Sequence, residues 1–305
     1  MSSEQYPDNS DSSGGSGHSV DSAGSDGPTA PGASGGDAHG TVRYTHGHGA
    51  AVLSAHSRRR AEDSAAYLLP HLHAGMDLLD VGCGPATITA DLAERVAPGR
   101  VVGLDAAAGA LEAARATLGE RGLAGRVELT DGDVMALPFD DDAFDVVHAH
   151  QVLQHLGDPV GALAEMRRVT RPGGIVAVRD AVYSAKAWFP QPRGMELWRS
   201  VYMATARANG GEPDAGSRLL TWARQAGFTE VTASASTWCY ATPADRAWQS
   251  ETWAQRSLTS FGPRAVELGL ASSADLATMA EAWRQWGASE DAWFAVVHGE
   301  VIARA

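Results

Sequence analysis

The sequence predicts an α/β fold, a doubly wound and mostly parallel sheet of seven strands with helices on both faces. Short apolar runs alternate with helical stretches between residues 77 and 179, which is the pattern of a parallel sheet joined by crossover helices. A glycine turn, Gly82-Cys83-Gly84, follows the first of these runs. Hydrophobic residues make up 44% of the 305 positions, which is enough apolar surface for a well-buried core.

The first residues differ in composition from the rest of the chain. Residues 1–41 are rich in Gly and Ser and carry almost nothing apolar, so they cannot bury enough surface to offset the entropy of ordering. We expect a disordered tail there and one folded domain over residues 42–305. That domain is expected to open with a cap helix over residues 49–69, which ends where Pro70 follows.

Strands and helices then alternate in order along the chain. Helices are predicted from the glycine turn to residue 95 and over 106–121, 159–170 and 215–226. The strands are predicted at residues 77–81, 101–104, 127–130, 143–149, 175–179, 228–240 and 293–302. The last strand is expected to be antiparallel, with helical insertions of a lid type near residues 184–213 and 243–288.

Charge and cysteine content argue against several classes of function. The net charge of -13 argues against a nucleic-acid partner, because phosphate contacts need clustered Lys and Arg. No apolar run approaches the ~20 residues of a membrane span, and the first residues do not resemble a secretory signal. Cys83 and Cys239 form no disulfide framework, so we expect a cytoplasmic protein. Lys186 is the single lysine, which we attribute to biased genome composition.

The glycine turn is the first candidate for a ligand site. Glycine lets the backbone approach a ligand closely, and the helix that follows offers N–H groups at its N-terminus. Asp105 ends the second strand, one βα unit downstream, where its carboxylate can accept both hydroxyls of a ribose. Asp133 follows the third strand and is placed to meet an adenine amino group, while Val134 packs on the ring.

Five segments occur in a fixed order along the chain. They are Leu79-Asp80-Val81-Gly82-Cys83-Gly84, Gly103-Leu104-Asp105, Gly132-Asp133-Val134-Met135-Ala136-Leu137-Pro138-Phe139, Ala143-Phe144-Asp145-Val146-Val147 and Val169-Thr170-Arg171-Pro172-Gly173-Gly174. In these segments the chain resembles the class I S-adenosylmethionine-dependent methyltransferases, within them the ubiquinone/menaquinone-biosynthesis-like small-molecule group. The resemblance covers residues 44–240. Ala86 stands where that family has a third glycine.

The resemblance implies a Rossmann-like fold and S-adenosyl-L-methionine as the cofactor. It assigns the cofactor contacts as follows: Asp80, Gly82 and Gly84 for the methionine part, Asp105 for the ribose, Asp133 and Val134 for the adenine, and His150 with Gln151 for the sulfonium side. The further candidates for cofactor contact are Tyr44, Arg59, Cys83, Ala106 and Gly132. NAD-dependent dehydrogenases share the glycine turn, but their third glycine usually comes two residues after Ala86, where this chain has Ile88.

Two side chains have both a functional and a structural interpretation. Arg59 lies beside a helical stripe that could be a solvated charged face, and we assign it to the cofactor carboxylate. His155 lies near the predicted crevice and is the candidate general base, although the same stretch often serves only to wall the pocket. The aromatic residues Trp188, Trp198, Trp248 and Trp253 line an acceptor pocket or pack the core of the lid.

These observations predict methyl transfer to a small-molecule acceptor. We expect a specialised metabolite with an N, S or O acceptor atom. The sequence shows no unmistakable general base, which is compatible with an N or S acceptor because an amine or thiolate needs none. The alternatives are a quinone-type C-methyltransferase and a non-catalytic S-adenosylmethionine-binding protein. We expect neither a metal site nor a membrane span, and a homodimer is compatible with the sequence.

Overall fold

The alternation of apolar runs and helical stretches produces one seven-stranded sheet. The structure, a computed structural model, describes residues 58–305. Its strands are β1 Leu78–Val81, β2 Val101–Asp105, β3 Val127–Asp131, β4 Phe144–His150, β5 Thr170–Phe189, β6 Glu230–Tyr240 and β7 Trp293–Arg304. They are arranged in the order β3-β2-β1-β4-β5-β7-β6. β1 to β5 pair in parallel, and β7 is antiparallel to both of its neighbours, which confirms the predicted fold class.

Helices connect these strands and cover both faces of the sheet. In the described part of the chain they are α1 Ala61–Ser64, α2 Thr87–Val96, α3 Ala108–Glu120, α4 Pro159–Arg168, α5 Met195–Ala208, α6 Leu219–Gln225, α7 Pro243–Thr259, α8 Phe261–Glu267 and α9 Ser273–Ala288. Short 3-10 helices occur at Leu69–His71, Leu153–His155 and Ala215–Ser217. Of the residues that the structure describes, no helix is long and apolar enough to cross a bilayer.

The period of two along the central strands divides the core between the two faces of the sheet. In β1, Leu79 and Val81 join one buried cluster, together with residues of α4 and α6. Leu78 joins a second cluster, together with residues of α2 and α3. Successive side chains of a strand point to opposite faces, so an all-apolar strand buries both. This double winding leaves the carboxyl ends of β1 to β4 as the open edge where a ligand can lie.

The two predicted insertions hold helices that pack around a separate aromatic cluster. Helix α5 follows β5, and α7, α8 and α9 lie between β6 and β7. Trp198 is fully buried in this cluster, with ring centroids 4.8 Å from Trp253 and 4.7 Å from Trp283. Aromatic pairs at such distances contribute about 0.5–1.5 kcal/mol beyond their buried area. Trp188 and Trp198 are thus core residues of the insertions.

The predicted cap helix over residues 49–69 is wrong where the structure describes it. Only Ala61–Ser64 are helical there, and residues 49–57 lie outside the described residues. The backbone of Arg60 is extended, and its N–H donates to the Asp63 carboxylate. Trp238 Nε1 donates to the Asp63 carbonyl at 3.0 Å. In a continued helix that oxygen would accept the N–H of Tyr67. Long-range hydrogen bonds therefore end this helix early.

Strand β5 is four times the predicted length, because it begins at Thr170 and continues to Phe189, whereas residues 175–179 were predicted. Beyond a register shift after Val182, it pairs again with β7, where Trp188 faces Phe294. Tyr183, Lys186 and Trp188 are buried on this extension. The extension carries β5 beyond the open edge formed by the carboxyl ends of β1 to β4. It supplies one wall of the cavity described below.

Candidate active site

The turn between β1 and α2 has the backbone conformation that its glycines predict. Gly82 and Gly84 have φ of +67° and +55°, and Ala86 adopts φ +57°. The N–H groups of Gly82 and Cys83 both donate to the Leu104 carbonyl, at 2.7 and 3.0 Å. This arrangement lays the turn across the end of β2. Helix α2 begins directly after Ala86, whose methyl group cannot cap it, so no side chain of the N-cap residue accepts the first N–H groups of the helix.

Asp105 connects the end of β2 to the glycine turn. Its carboxylate accepts the N–H of Gly84 and the N–H of Ala107, each at 2.9 Å. The residue is half-buried, and each oxygen keeps a further lone pair for a ligand hydroxyl. Asp105 is thus hydrogen-bonded directly to the glycine turn, and its contact with a ribose stays a prediction. Ala106 beside it is exposed at the same edge.

Asp80 lies beneath the turn and is only 3% exposed. One carboxylate oxygen accepts the Thr89 hydroxyl at 2.5 Å, and the other lies 2.7 Å from His148 Nδ1. Both oxygens thus have partners inside the protein, so Asp80 supports the turn from below. Contact of Asp80 with the methionine part of a ligand stays a prediction. His148 is a buried core histidine with a partner, as its position on a buried strand suggests.

The end of β3 supplies a second carboxylate and an apolar surface. Asp131 is in register with Asp105, so the residues that follow both strands lie along one edge. Asp133 is exposed and accepts the Met135 N–H at 2.9 Å, whereas Val134 is buried. A Cβ on Gly132 would lie 2.8 Å from Leu104 Cδ1, so a larger residue there would displace the Leu104 side chain.

Cys83 faces the protein and not the crevice. A Cβ on Gly103 would lie 3.1 Å from its Sγ, which places the thiol against β2. Burial raises the pKa of Cys83 well above its ordinary value, and the charges of Asp80 and Asp105 add to this effect. A neutral buried thiol is a packing group and a poor nucleophile, so its backbone is the part that a ligand can reach.

The open edge of β1 to β3 therefore carries the groups that S-adenosylmethionine needs. Carboxylate oxygens of Asp105 and Asp133 can accept ribose and adenine hydrogens, and a helix N-terminus suits the methionine carboxylate. The backbone can approach closely at the glycines of the turn, because they carry no Cβ. The residues present thus fit this cofactor.

Gln151, directly after β4, has a strained backbone held by several partners. Its φ is +56°, which is uncommon for a residue with a Cβ and often marks a functional site. Its N–H donates to the Arg179 carbonyl at 2.7 Å. Its side chain accepts from Arg59 Nη2 at 2.6 Å and lies 2.9 Å from His298 Nε2. The adjacent His150 is buried, 5.6 Å from the Trp238 ring.

A cavity of about 410 Å³ opens beside Gln151. Its walls come from residues 58–63, the extension of β5, and parts of β6, β7 and α7. The lining residues are Arg58, Arg59, Asp63, Gln151, Ala181, Tyr183, Lys186, Thr237, Trp238, Cys239, Tyr240, Asp245, Trp248, Gln249, Thr252, Trp253, Arg256 and Val296. Four of these side chains are basic and two are acidic.

Sequence reasoning found only part of this lining. Arg59, Gln151, Trp248 and Trp253 were singled out beforehand, and the structure places all four around the cavity. Most of the other lining residues were missed, because segments far apart in sequence meet there. Two signals were available, namely the aromatic residues near 238–253 and the position of the one lysine.

His155 and Tyr44 remain outside this arrangement. His155 does not line the cavity, and its Nε2 lies 3.0 Å from Gln154 Nε2. Burial, assisted by the Arg59 charge, lowers the pKa of His155 to about 3. Tyr44 lies outside the described residues. Within residues 58–305 no cluster of His, Cys, Asp or Glu could hold a metal ion.

Comparison with known proteins identifies the family of this chain. A family model described as a methyltransferase domain matches residues 72–232. An uncharacterized methyltransferase of Schizosaccharomyces pombe is 32% identical over 85% of this chain and 95% of its own. A probable methyltransferase, ltbC of Aspergillus luteorubrus, is 30% identical over 86% of this chain and 97% of its own.

Two further likenesses are more limited. The demethylmenaquinone methyltransferase of Lactococcus lactis is 42% identical, but over only 33% of this chain and 40% of its own. The crystal structure of YcgJ from Bacillus subtilis is similar in fold, with a TM-score of 0.54 and 17% identity over 79% of this chain and 97% of its own. The chain belongs to the methyltransferase domain family, and it is an S-adenosylmethionine-dependent methyltransferase.

Proposed function

We propose that this enzyme methylates a small-molecule acceptor, a specialised metabolite, held in the cavity beside Gln151. The observation that carries this proposal is the cavity itself, whose volume of about 410 Å³ lies within the usual range for small-molecule sites. Five aromatic residues line it, which suits a planar and partly apolar acceptor: Tyr183, Trp238, Tyr240, Trp248 and Trp253. The basic residues favour an acceptor with acidic or electron-rich groups.

We assign the roles of the residues within the site as follows. Asp105 and the glycine turn hold the cofactor, Asp133 and Val134 bind its adenine, and Gln151 lies where cofactor and acceptor meet. S-adenosylmethionine supplies an activated methyl group on sulfur when bound. The protein contributes by orienting the acceptor in line with that group, an effect worth about 7–11 kcal/mol. Arg59 donates to Gln151 and lines the cavity, and we assign it to the cofactor carboxylate.

The quinone-type alternative has less support. The demethylmenaquinone methyltransferase resembles this chain over only 33% of its length. The relatives that match over about 85% of this chain carry no such name. A non-catalytic binding protein remains an outcome of the experiment below.

The test is incubation with S-adenosylmethionine carrying a deuterated methyl group and a metabolite extract of the source cell, followed by mass spectrometry. One small molecule should gain the labelled methyl group. Trp248→Ala should lower this transfer at least about 10-fold through lost contacts, with unchanged binding of S-adenosylhomocysteine. Trp293→Ala is the matched control, because Trp293 is exposed outside the cavity. Cofactor binding without label in any metabolite would contradict the proposal.

His155→Gln is expected to leave turnover within about 2-fold of the parent enzyme. A group with a pKa of about 3 holds a proton too weakly to act as a base at neutral pH, and His155 does not line the cavity. We therefore propose that the role of His155 is structural. Steady-state kinetics with the acceptor found above checks this, and a loss of kcat of about 100-fold would restore His155 as the base.

A further inference from the structure

The chain's single lysine lies inside the acceptor cavity. Lys186 projects from the extension of β5 and is only 5% exposed. Its Nζ lies 3.1 Å from the centroid of the Tyr183 ring, 5.2 Å from that of Trp253 and 5.5 Å from that of Trp198. The side chain therefore ends among aromatic faces at the wall of the cavity.

No carboxylate of the described residues forms an ion pair with Lys186. The acid that acts on it through space is Asp214, which already pairs with Arg207 at 3.2 Å and accepts the Ser184 N–H at 2.7 Å. Burial without a paired charge lowers the pKa of Lys186 well below its ordinary value. The aromatic faces favour the ammonium form but do not replace the lost hydration. The amine form is thus available to react.

We propose that Lys186 is the general base of this cavity, and that it takes the proton of an acceptor hydroxyl of the phenol or enol class while that oxygen is methylated. The inference rests on the proposed function, because it needs an acceptor in the cavity. The inference narrows the reacting atom of the acceptor from nitrogen, sulfur or oxygen to the oxygen of an acidic hydroxyl. Such an acceptor benefits from a base, whereas an amine or thiolate does not.

The transfer balances in atoms and charge. The hydroxyl gives its proton to Lys186 Nζ, and its electron pair forms the new oxygen–methyl bond. The sulfur–methyl bond breaks with its electrons left on sulfur, so neutral S-adenosylhomocysteine and a methyl ether are the products. Lys186 then carries the positive charge beside the Tyr183 ring, and it releases the proton to solvent through the cavity.

Other titratable and charged groups surround Lys186, and their titration must be distinguished from that of Lys186. Arg199 Nη1 donates to the backbone carbonyl of Lys186 at 3.3 Å. His298 on β7 has a pKa lowered well below its ordinary value by burial, and the Arg179 and Lys186 charges add to this effect. Tyr183, Arg199, Asp214 and His298 act on Lys186 directly, whereas Tyr202 stacks on Tyr183 and Arg256 lines the same cavity.

The first test reads Lys186 directly, without an acceptor. Lysine labelled with ¹³C at Cε gives one lysine signal in this chain, because Lys186 is the sole lysine. In the protein loaded with S-adenosylhomocysteine, that signal should titrate at a pH well below the ordinary lysine value. A signal that titrates at or above the ordinary lysine value would overturn the proposal. The readout does not depend on whether the proposed function is right.

The second test uses 4-nitrophenol, whose ionised form absorbs visible light, as the acceptor probe with the same loaded protein. Below the probe's own pKa, binding should ionise it while releasing no proton to the buffer, because Lys186 retains the proton. Lys186→Arg, which is charged at the outset, should release about one proton for each probe ionised. Calorimetry in two buffers of different ionisation enthalpy counts these protons.

Two variants complete this comparison. Lys186→Met should leave the bound probe un-ionised, whereas Arg284→Met, on an exposed helix face outside the cavity, should match the parent protein. Release of about one proton by the parent protein would show that Lys186 is already an ammonium and serves only as a charged anchor. Absence of probe binding, or equal ionisation by Lys186→Met, would also overturn the proposal.

Discussion

Replacing Gly82 with alanine is expected to weaken the binding of S-adenosylhomocysteine about 100-fold or more. Gly82 has φ +67°, which costs an L-residue about 1–2 kcal/mol. A Cβ there would also collide with Cγ2 of Val152, and Val152 is stiff because it is β-branched. Relief of an overpacked contact costs about 1–3 kcal/mol more. The turn must shift, and its hydrogen bonds to Leu104 shift with it.

Gly109→Ala is the matched control for this substitution. Gly109 lies in α3, and a Cβ there meets nothing within 4 Å. In a helix this change stabilises by up to about 1 kcal/mol, so affinity for the cofactor product should be unchanged. Isothermal titration calorimetry measures both variants. Equal affinity of Gly82→Ala and Gly109→Ala would mean that the turn does not contact the cofactor.

The second large effect is a loss of stability in mild acid. Burial lowers the pKa of His155 to about 3, and it lowers the pKa values of His150 and His298 well below the ordinary 6.5. Below pH 6.5 the unfolded chain therefore binds protons on three histidines that the folded protein leaves neutral. Stability contributed by these groups is complete above that pH and is lost as the pH falls towards their folded values.

Asp180 partly offsets this trend. Burial raises its pKa to about 8, so between pH 3.8 and 8 the folded protein holds a proton that the unfolded chain has released. Its contribution therefore rises as the pH falls through this window. Three histidines outweigh one carboxyl, so the free energy of unfolding should fall as the pH falls below 6.5.

Urea unfolding at a series of pH values measures this slope. His155→Gln should reduce the slope by about one proton, or about 1.4 kcal/mol per pH unit. His73→Gln, at an exposed histidine, should leave the slope as it is in the parent protein. A flat profile between pH 6.5 and 4.5 would show that the buried histidines acquire protons in the folded state.

The placement of the candidate cofactor residues along one edge of the sheet could be predicted, because it follows from where the strands end. Each candidate carboxylate follows a strand, and parallel strands bring their carboxyl ends to one edge. The hydrogen bond between Asp105 and Gly84 is a direct consequence of that rule. The sheet was predicted for the same reason, since the apolar runs that form β1 to β4 are short and bounded by turns.

The acceptor half could not be predicted because its geometry is non-local. The cavity joins residues 58–63, the end of β5 and helix α7, and no periodicity links these segments. The cap-helix prediction failed near Asp63, because Trp238 on the distant strand β6 donates a hydrogen bond to the Asp63 carbonyl. Lys186 was interpreted as a feature of composition, whereas its burial comes from the pairing of β5 with β7 beyond residue 182.

The most direct test of the account is the dissociation constant of S-adenosylhomocysteine for Asp105→Asn, beside the parent protein and Asp141→Asn. In the asparagine variant an NH2 group replaces one carboxylate oxygen. This NH2 group cannot accept the N–H of Gly84 or Ala107, whichever of the two it faces. Lost hydrogen bonds to a charged group cost about 1.5–3 kcal/mol, which predicts binding about 10–100-fold weaker. Asp141 is exposed, so Asp141→Asn should bind as the parent does. Unchanged affinity of Asp105→Asn would contradict a cofactor site at the end of β2.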